Sequence, residues 1–510
     1  MNAAAGVTPW VEVPHRGIIT LSIMLATLIQ SLDGTIANVA LPHMQGSLSA
    51  SQDQITWVLT SYIVAAAIAT PLTGWLCDRF GMKHVMIASI SGFTVASALC
   101  GISATLPMIV AARLLQGVFG AALVPLSQAI LMDINPRERQ AQAMAVWGMG
   151  VMVGPILGPT LGGWLTDSYD WRWVFFINVP IGAFALFGVI TYFKPKDGRR
   201  RTPFDFFGFV TLSLAIGLFQ ALLDRGEQLD WFGSIEIRIE AIGATIAFAL
   251  FLVHIATVSG RSFVNLALLR DRNYVSGLVF IFVIGVVLFA TRALLPPMLQ
   301  TLMDYPVATA GLVVAPSGLG TMIAMMLVGR LVKIVDPRAI LMFGLSLTAL
   351  SLWQMSGYTL ELSERDIVWP GVLQGFGLGF VFIPLTSIAF ATLDADLRAD
   401  GTAIFSLVRN IGSSIGISLV QTILTRQTAV MHASLAEKIS PFNPLLPDAA
   451  GLTPQALARI DHQITMQAAM IGYVDDFRFM MWLTLLVIPL VALIRSAGAS
   501  SGGDTHAVMD

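Results

Sequence analysis

Read from its first residue, the chain alternates long apolar stretches with short polar breaks. The apolar runs cover roughly 18–42, 55–76, 84–104, 107–131, 141–166, 172–193, 204–223, 234–258, 274–300, 308–331, 338–356, 367–391, 401–426 and 477–495. Each is close to the ~20 residues that an α-helix needs to cross the hydrocarbon core of a bilayer. In lipid no water satisfies the backbone, so such runs close their hydrogen bonds internally as helices. The pattern predicts an all-α polytopic membrane protein with fourteen transmembrane helices in contact with the lipid bilayer.

Positive charge tests that number. With the first residue placed in the cytoplasm, 18 of the 29 Lys and Arg fall on the inside: Arg16, Arg79, Lys83, Arg137, Arg139, Lys194, Lys196, Arg199, Arg200, Arg201, Arg261, Arg270, Arg272, Arg330, Lys333, Arg338, Arg398 and Arg495. Eight fall outside: Arg172, Arg225, Arg238, Arg365, Arg426, Lys438, Arg459 and Arg478. Arg113, Arg292 and Arg409 lie within the apolar runs. This is the asymmetry expected when cytoplasmic loops carry the excess of positive charge. It supports an even number of crossings with both termini inside. Residues 1–17 are polar and the first apolar run is long enough to span, so an uncleaved signal anchor is expected.

Composition agrees with the pattern. Apolar residues make up 55% of the 510, charged residues only 12%, and the mean hydropathy is +0.76. Soluble domains carry about 25% charged residues. The net charge of −2 gives no pull toward nucleic acid. Cys77 and Cys100 sit in apolar segments and read as packing residues. The seven His lack metal-ligand spacing, and no G-x-x-x-x-G-K-[ST] loop occurs. Gly412-Ser413-Ser414-Ile415-Gly416 matches the G-x-S-x-G of hydrolases but lies inside an apolar run with no strand before it. No metal, no cofactor and no enzymatic activity are expected.

The two ends of the chain echo each other. Leu115-Gln116-Gly117 followed by Pro125-Leu126-Ser127 matches Leu373-Gln374-Gly375 followed by Pro384-Leu385-Thr386. Gly150 and Gly154 match Gly412 and Gly416, and Leu41-Pro42 with Gln45 matches Leu295-Pro296 with Gln300. The repeat divides the chain into an N-terminal six-helix bundle (1–193) and a C-terminal one (274–495). Between them lies a linker with two inserted helices (194–273), and 496–510 forms a cytoplasmic tail. The segment 427–476 is expected as an outer loop, in which Thr453 and Pro454 suit the N-cap and first position of a surface helix. Paired bundles about a midplane site are the architecture of alternating access.

Asp33 is the leading chemical candidate. It lies about fifteen residues into the first apolar run, near mid-membrane at ~1.5 Å per residue. A carboxylate there costs several kcal/mol unless paired or protonated. Balanced between desolvation and a nearby guanidinium, it can gain and lose a proton. The competing reading is a buried Asp satisfied by local hydroxyls such as Thr35. Arg113 is the expected partner, about two turns into the fourth run and at matching depth. Its repeat counterpart is Gly371, so the charge occurs only in the half that holds Asp33. The alternative is a snorkelling or fold-locking Arg. Arg292 and Arg409 can face a cavity, bind helix-terminal carbonyls or snorkel. Gln30, Asn38, Tyr62, Gln116 and Asn178 are candidates for a cavity lining.

Two further motifs suit moving parts. Gly150, Gly154, Pro155, Gly158, Gly162 and Gly163 give the fifth run a flat face and two weak points where Pro removes a donor. Either tight packing, or a hinge or seal, fits that run. The turn Gly74 to His84 places Asp78 where it can cap a helix end, with Gly81 at the turn. Arg79 and Lys83 can pair across to a neighbouring helix.

At these residues the sequence resembles the major facilitator superfamily, and within it the fourteen-helix drug:proton antiporters of the EmrB/QacA type. Leu32-Asp33-Gly34-Thr35 through Leu41-Pro42 resembles that family's helix-1 motif. Gly74 to Lys83 resembles the superfamily loop motif, with Cys77 where a small residue is usual. Arg113 to Gly117 resembles the helix-4 motif, Gly150 to Gly163 the antiporter motif, and Trp171 to Gly182 the run leading into the sixth helix. Leu223 to Phe232 and Pro441-Phe442-Asn443-Pro444 look like the EmrB branch. The resemblance implies a bacterial inner-membrane permease that exchanges protons for small-molecule drugs or amphipathic metabolites. It also implies a periplasmic membrane-fusion adaptor and an outer-membrane channel as partners, with the outer segment 427–476 as contact or lid. The rival functions are a dedicated exporter of one endogenous metabolite or siderophore, a non-transporting membrane sensor, and an uptake symporter.

Overall fold

In a computed structural model of the protein, the residues described are 13–194, 203–258, 266–332, 334–394, 397–439 and 453–493. Among them there is no strand. The long helices of the first half are α1 (Arg16–Ser47), α2 (Trp57–Ala69), α3 (Leu72–Phe80), α4 (Met82–Gly101), α5 (Leu106–Gly120), α6 (Leu123–Ile134), α7 (Arg137–Ser168) and α8 (Asn178–Tyr192). Then come α9 (Phe206–Arg225) and α10 (Ile235–Thr257). The second half holds α11 (Arg272–Leu302), α12 (Val307–Leu331), α13 (Pro337–Met355), α14 (Glu364–Ala391), α15 (Arg398–Ala436) and α16 (Pro454–Val487).

Twelve helices among the described residues are long and apolar enough to cross a membrane, and the bent pair α2–α3 adds a thirteenth. The bend is 57° and falls at Thr70-Pro71, where Pro lacks the N–H that would continue the ladder. Of the fourteenth expected span, 477–495, the described residues form the end of α16 and the 3₁₀ turn Ile488–Leu493. Asp475 and Asp476 just before it and Arg478 within it lower the apolar character of this part of α16. Large apolar side chains such as Phe184, Phe187, Ile239, Ile246, Trp482 and Leu486 stand exposed on the outside. A surface of that kind suits lipid rather than water.

Two boundaries differ from the sequence expectation. The segment 427–476 was expected as a loop, but α15 runs on to Ala436 and α16 begins at Pro454, so most of its described residues are helical. Thr453 does cap, accepting from Ala456 N at 3.2 Å, but the helix it starts continues into the last span. His432 and Asp461 meet at 3.0 Å across the two extensions. Polar helices outside a membrane carry no long apolar run, which is why the span pattern did not show them. Pro441 to Pro444 and the tail 496–510 lie outside the described residues. The second difference is α7, which passes through Pro155 and Pro159 as one continuous helix.

Small residues set the packing. On α7, an added Cβ at Gly150 would meet Met24, at Gly154 the backbone of Ser31 and Leu32, at Gly158 Thr35, and at Gly162 Ile36. The glycines thus let α7 and α1 touch nearly backbone to backbone. Farther along, α7 meets α12: Gly148 and Gly329 sit against Met325 and Ala145, and Gly318 against Ile156. In the second half, Gly412 and Gly416 of α15 approach the backbone of Phe282 and Val286 on α11. The α9–α10 pair packs at the side, with Leu212, Ile216, Phe251 and Ile255 clustering with Ala67 and Leu407. Asp205 caps α9 through Gly208 N (2.9 Å) and reaches His254 of α10 at 2.7 Å.

Candidate functional site

Three helices, α1, α5 and α8, meet at one carboxylate. Asp33, at 0% exposure, hangs from the middle of α1, and Arg113, at 1%, from α5. Arg113 Nη1 lies 2.5 Å from Asp33 Oδ2. Gln116, one turn along α5, donates through Nε2 to Asp33 Oδ1 at 2.9 Å, and Asn178 at the start of α8 donates to the same oxygen at 3.2 Å. Both carboxylate oxygens are therefore engaged.

The guanidinium is equally well held. Arg113 Nε donates to the Val58 carbonyl at 2.9 Å, and Nη1 also donates to Gln116 Oε1 at 2.8 Å. Its Cζ lies 4.3 Å from the centroid of the Tyr62 ring and 5.8 Å from that of Phe175. A desolvated cation over an aromatic face gains about 2 kcal/mol. Asn178 is fixed in turn by Ser97 Oγ (3.1 Å), which donates to the Phe175 carbonyl at 2.8 Å. Cys100 Sγ donates to Gln116 Oε1 at 3.5 Å. A buried ion pair repays its desolvation only when its remaining donors and acceptors are satisfied, and this one is wrapped by polar neighbours.

The structure thus brings Asp33, Arg113, Tyr62, Gln116 and Asn178 together. The last three surround the ion pair directly. Thr35, the local alternative for satisfying Asp33, instead donates to the Leu32 carbonyl at 3.0 Å. Gln30 is half-buried, and Asn38 stands on an exposed stripe of α1 with Gly34. Asn38 Nδ2 donates only locally, to the Gly34 carbonyl at 3.4 Å.

Arg292 and Arg409 sit in the second half, away from this cluster. Arg292 Nη2 points across to α7, 3.5 Å from Met152 Sδ, and Arg409 Nη2 lies 3.5 Å from Asn410 Oδ1. Arg409 Nε is buried without a partner. Neither has an acidic partner among the described residues. A cation that is held inside a membrane without a counter-charge is costly.

The turn motif resolves into contacts. Gly81, at φ 84°, ends α3 and opens the next helix, a backbone conformation that suits glycine. Asp78 lies within the last turn of α3. Lys83 Nζ donates to the Ile190 carbonyl of α8 at 2.8 Å, placing a cation at a helix C-terminus. Arg79 is exposed. Gly74 packs against the second half so closely that a Cβ there would fall 1.5 Å from Asp400 Oδ1. Beside it, Arg398 Nη1 bonds Asp133 Oδ1 at 2.9 Å and the Met132 carbonyl at 3.3 Å. The halves are latched at this end. The inter-half bridge was missed in the sequence because its partners lie 265 residues apart. Their only signal was one acidic and one basic residue on the same expected face of the membrane.

Comparison with known proteins adds to this geometry. Residues 23–417 match the profile of the Major Facilitator Superfamily. The chain is 36% identical to the fatty acid resistance protein FarB of Neisseria gonorrhoeae, over 95% of this chain and 97% of that one. It is also 36% identical to the multidrug export protein EmrB of Escherichia coli K12, over 95% of this chain and 96% of that one. Among solved structures, the proton:xylose symporter XylE superposes with a TM-score of 0.59 at 13% identity, covering 94% of this chain and 99% of that one. The human organic anion transporter MFSD10 gives 0.58 at 15%, covering 92% and 98%. At such low identity these two likenesses speak to the fold alone.

Proposed function

Since this chain belongs to the Major Facilitator Superfamily, and is thus a multi-pass membrane protein of a transporter family, we propose that it exports amphipathic compounds in exchange for protons. The observation that carries the reading is the fully buried Asp33–Arg113 pair, with its hydrogen bonds drawn from four helices. A proton arriving from outside competes with Arg113 for Asp33. When Asp33 is neutral, Arg113 keeps Val58 and Gln116 but loses its counter-ion, and the α1–α5 contact changes. Because α7 packs on α1 through glycine, that change passes to the face where α7 meets α12 of the other half. The two halves then rock about the site. One charge moved through ~100 mV supplies about 2.3 kcal/mol, enough for roughly a fifty-fold gradient.

The latch of Gly74–Asp400 and Arg398–Asp133 lies at the end that the charge pattern places in the cytoplasm, with both termini. This supports an outward-facing arrangement in an inner membrane. Arg292 and Arg409, lacking acids of their own, favour substrates with an anionic or strongly polar head over dications. The name of the FarB relative points the same way. The names of the EmrB relatives favour a broad range of drugs over a single metabolite. The helical extensions of α15 and α16 are the surface we assign to a periplasmic adaptor that leads to an outer-membrane channel.

The test is transport in proteoliposomes with an imposed proton gradient, across a panel of dyes, fatty acids and single metabolites. Several unrelated amphipaths should be driven by the gradient, and each should move protons in return. Transport of one metabolite alone would make this a dedicated exporter. Binding without any proton or substrate movement would make it a sensor and sink the proposal.

A further inference from the structure

Asp33 is not the only acid withdrawn from solvent. Asp476, in the last helix, is 0% exposed, and neither of its carboxylate oxygens has a hydrogen-bond partner. Sequence reasoning had left it in the outer loop. Its neighbours in the chain, Tyr473, Val474, Phe477 and Met480, all belong to the apolar core of the second half. Gly472, one turn earlier, packs on Leu424 and Thr428 of α15. Met480, one turn later, receives a contact from Thr291 Oγ1 of α11 at 3.6 Å. Phe477 meets the Tyr358 ring beyond α13 at 5.7 Å between centroids. Asp476 is therefore enclosed by α11, α15 and the turn after α13.

Among the described residues, no cation within that enclosure neutralises it. On its own helix, Arg478 is exposed and bonds Asp475 at 3.4 Å. From α15 the charged side chain at this level is Arg426, which is exposed. From α11 it is Arg292, which reaches away to Met152 of the other half. From α13 the only charge is Arg338, in the first turn at the opposite end. The titratable groups nearby are Tyr358 and Tyr473, neither of which is a counter-ion, and Asp475, a like charge. An ionised carboxylate that is buried with no ion pair and no donor is far costlier than its neutral form. The cheapest counter-ion available is a proton.

We propose that Asp476 is a second proton-binding site, loaded in this conformation and emptied when the second half repacks during the transport cycle. The two halves then hold complementary acids: Asp33 paired with Arg113 while Asp476 carries a proton. The inference rests on the reading of the protein as a proton-coupled exporter, and adds one proton to each turnover.

The site is tested without transport by treating the full-length protein in proteoliposomes with dicyclohexylcarbodiimide, a reagent for protonated carboxyls in apolar surroundings. Adducts are mapped by peptide mass spectrometry. Asp476 should be modified, and the extent should fall as the pH is raised through neutrality. No adduct at Asp476 while other carboxyls react, or modification that does not vary with pH, overturns the site. The second arm counts protons per substrate in wild type and Asp476→Asn, which keeps the shape and removes the titration. The count should fall by one in the variant. An unchanged count, in a variant that still transports, overturns the coupling role. If the wild type moves no protons at all, the exporter reading has failed, and the labelling arm still decides whether Asp476 binds one.

Discussion

A single methyl group on α7 gauges how tightly the proton site is held. At Gly154 an added Cβ would sit 2.8 Å from the backbone nitrogen of Leu32 and the backbone carbon of Ser31. Backbone cannot swing aside as a side chain can. Reaching ordinary contact at 3.4 Å requires α1 to retreat by about 0.6 Å at the residues next to Asp33. Asn178 bonds Asp33 at 3.2 Å, so a shift of that size along the bond would take it outside hydrogen-bonding range. Gly163, on the same helix, is the control, because its Cβ would meet nothing nearer than Val39 Cγ1 at 4.0 Å. Both substitutions to Ala gain up to ~1 kcal/mol of helix propensity, while Gly154→Ala also pays ~1–3 kcal/mol of overpacking. Gly163→Ala should melt at or above the wild-type temperature in detergent and transport normally. Gly154→Ala should melt lower. If the Asn178 bond to the carboxylate is worth ~1.5–3 kcal/mol to the coupled step, transport drops roughly ten- to hundredfold. Equal behaviour of the two variants would refute the claim that the α1–α7 contact holds Asp33 in place.

The remaining predictions address the latch, the arginines and the outer hairpin. Asp133→Asn removes a half-exposed pair worth ~1 kcal/mol at most, so it should shift the balance between conformations by up to about fivefold. This is measured as slower labelling of a cysteine at Asn38 from outside. Arg292→Ala and Arg409→Ala should each weaken transport of anionic amphipaths by about tenfold or more, from a charge-assisted bond of ~1.5–3 kcal/mol. Neutral dyes should be moved as before, which a paired transport assay checks. Thr453→Ala removes the cap of α16 at a cost of ~1 kcal/mol. It should speed hydrogen exchange over its first turns while leaving substrate transport in proteoliposomes unchanged.

Much of this architecture was legible because a membrane allows the chain few choices. An apolar run of sufficient length has to be a helix, and a charge inside one has to find a partner. Asp33 and Arg113 stood out for that reason, and their pairing followed from matching depth on opposite-running helices. Gln116, Asn178 and Tyr62 were visible as polar residues in apolar runs, but their attachment to the carboxylate required the rotation of each helix, which apolarity alone does not set. The bend at Pro71 was hidden because the residues on either side of it remain apolar. The extensions of α15 and α16 were hidden because helices in water leave no such run. Asp476 was misplaced for the same reason, since a run defined by apolarity ends at the first acid even where the helix and its core continue.

The central claim is that Asp33 exchanges its proton against substrate. Its most direct test is to add a transported amphipath to the purified protein in weakly buffered detergent and record the protons released, in wild type and Asp33→Asn. The account predicts release from the wild type, and a release smaller by one proton in the variant. Equal release from both proteins would show that the proton resides elsewhere and would contradict it.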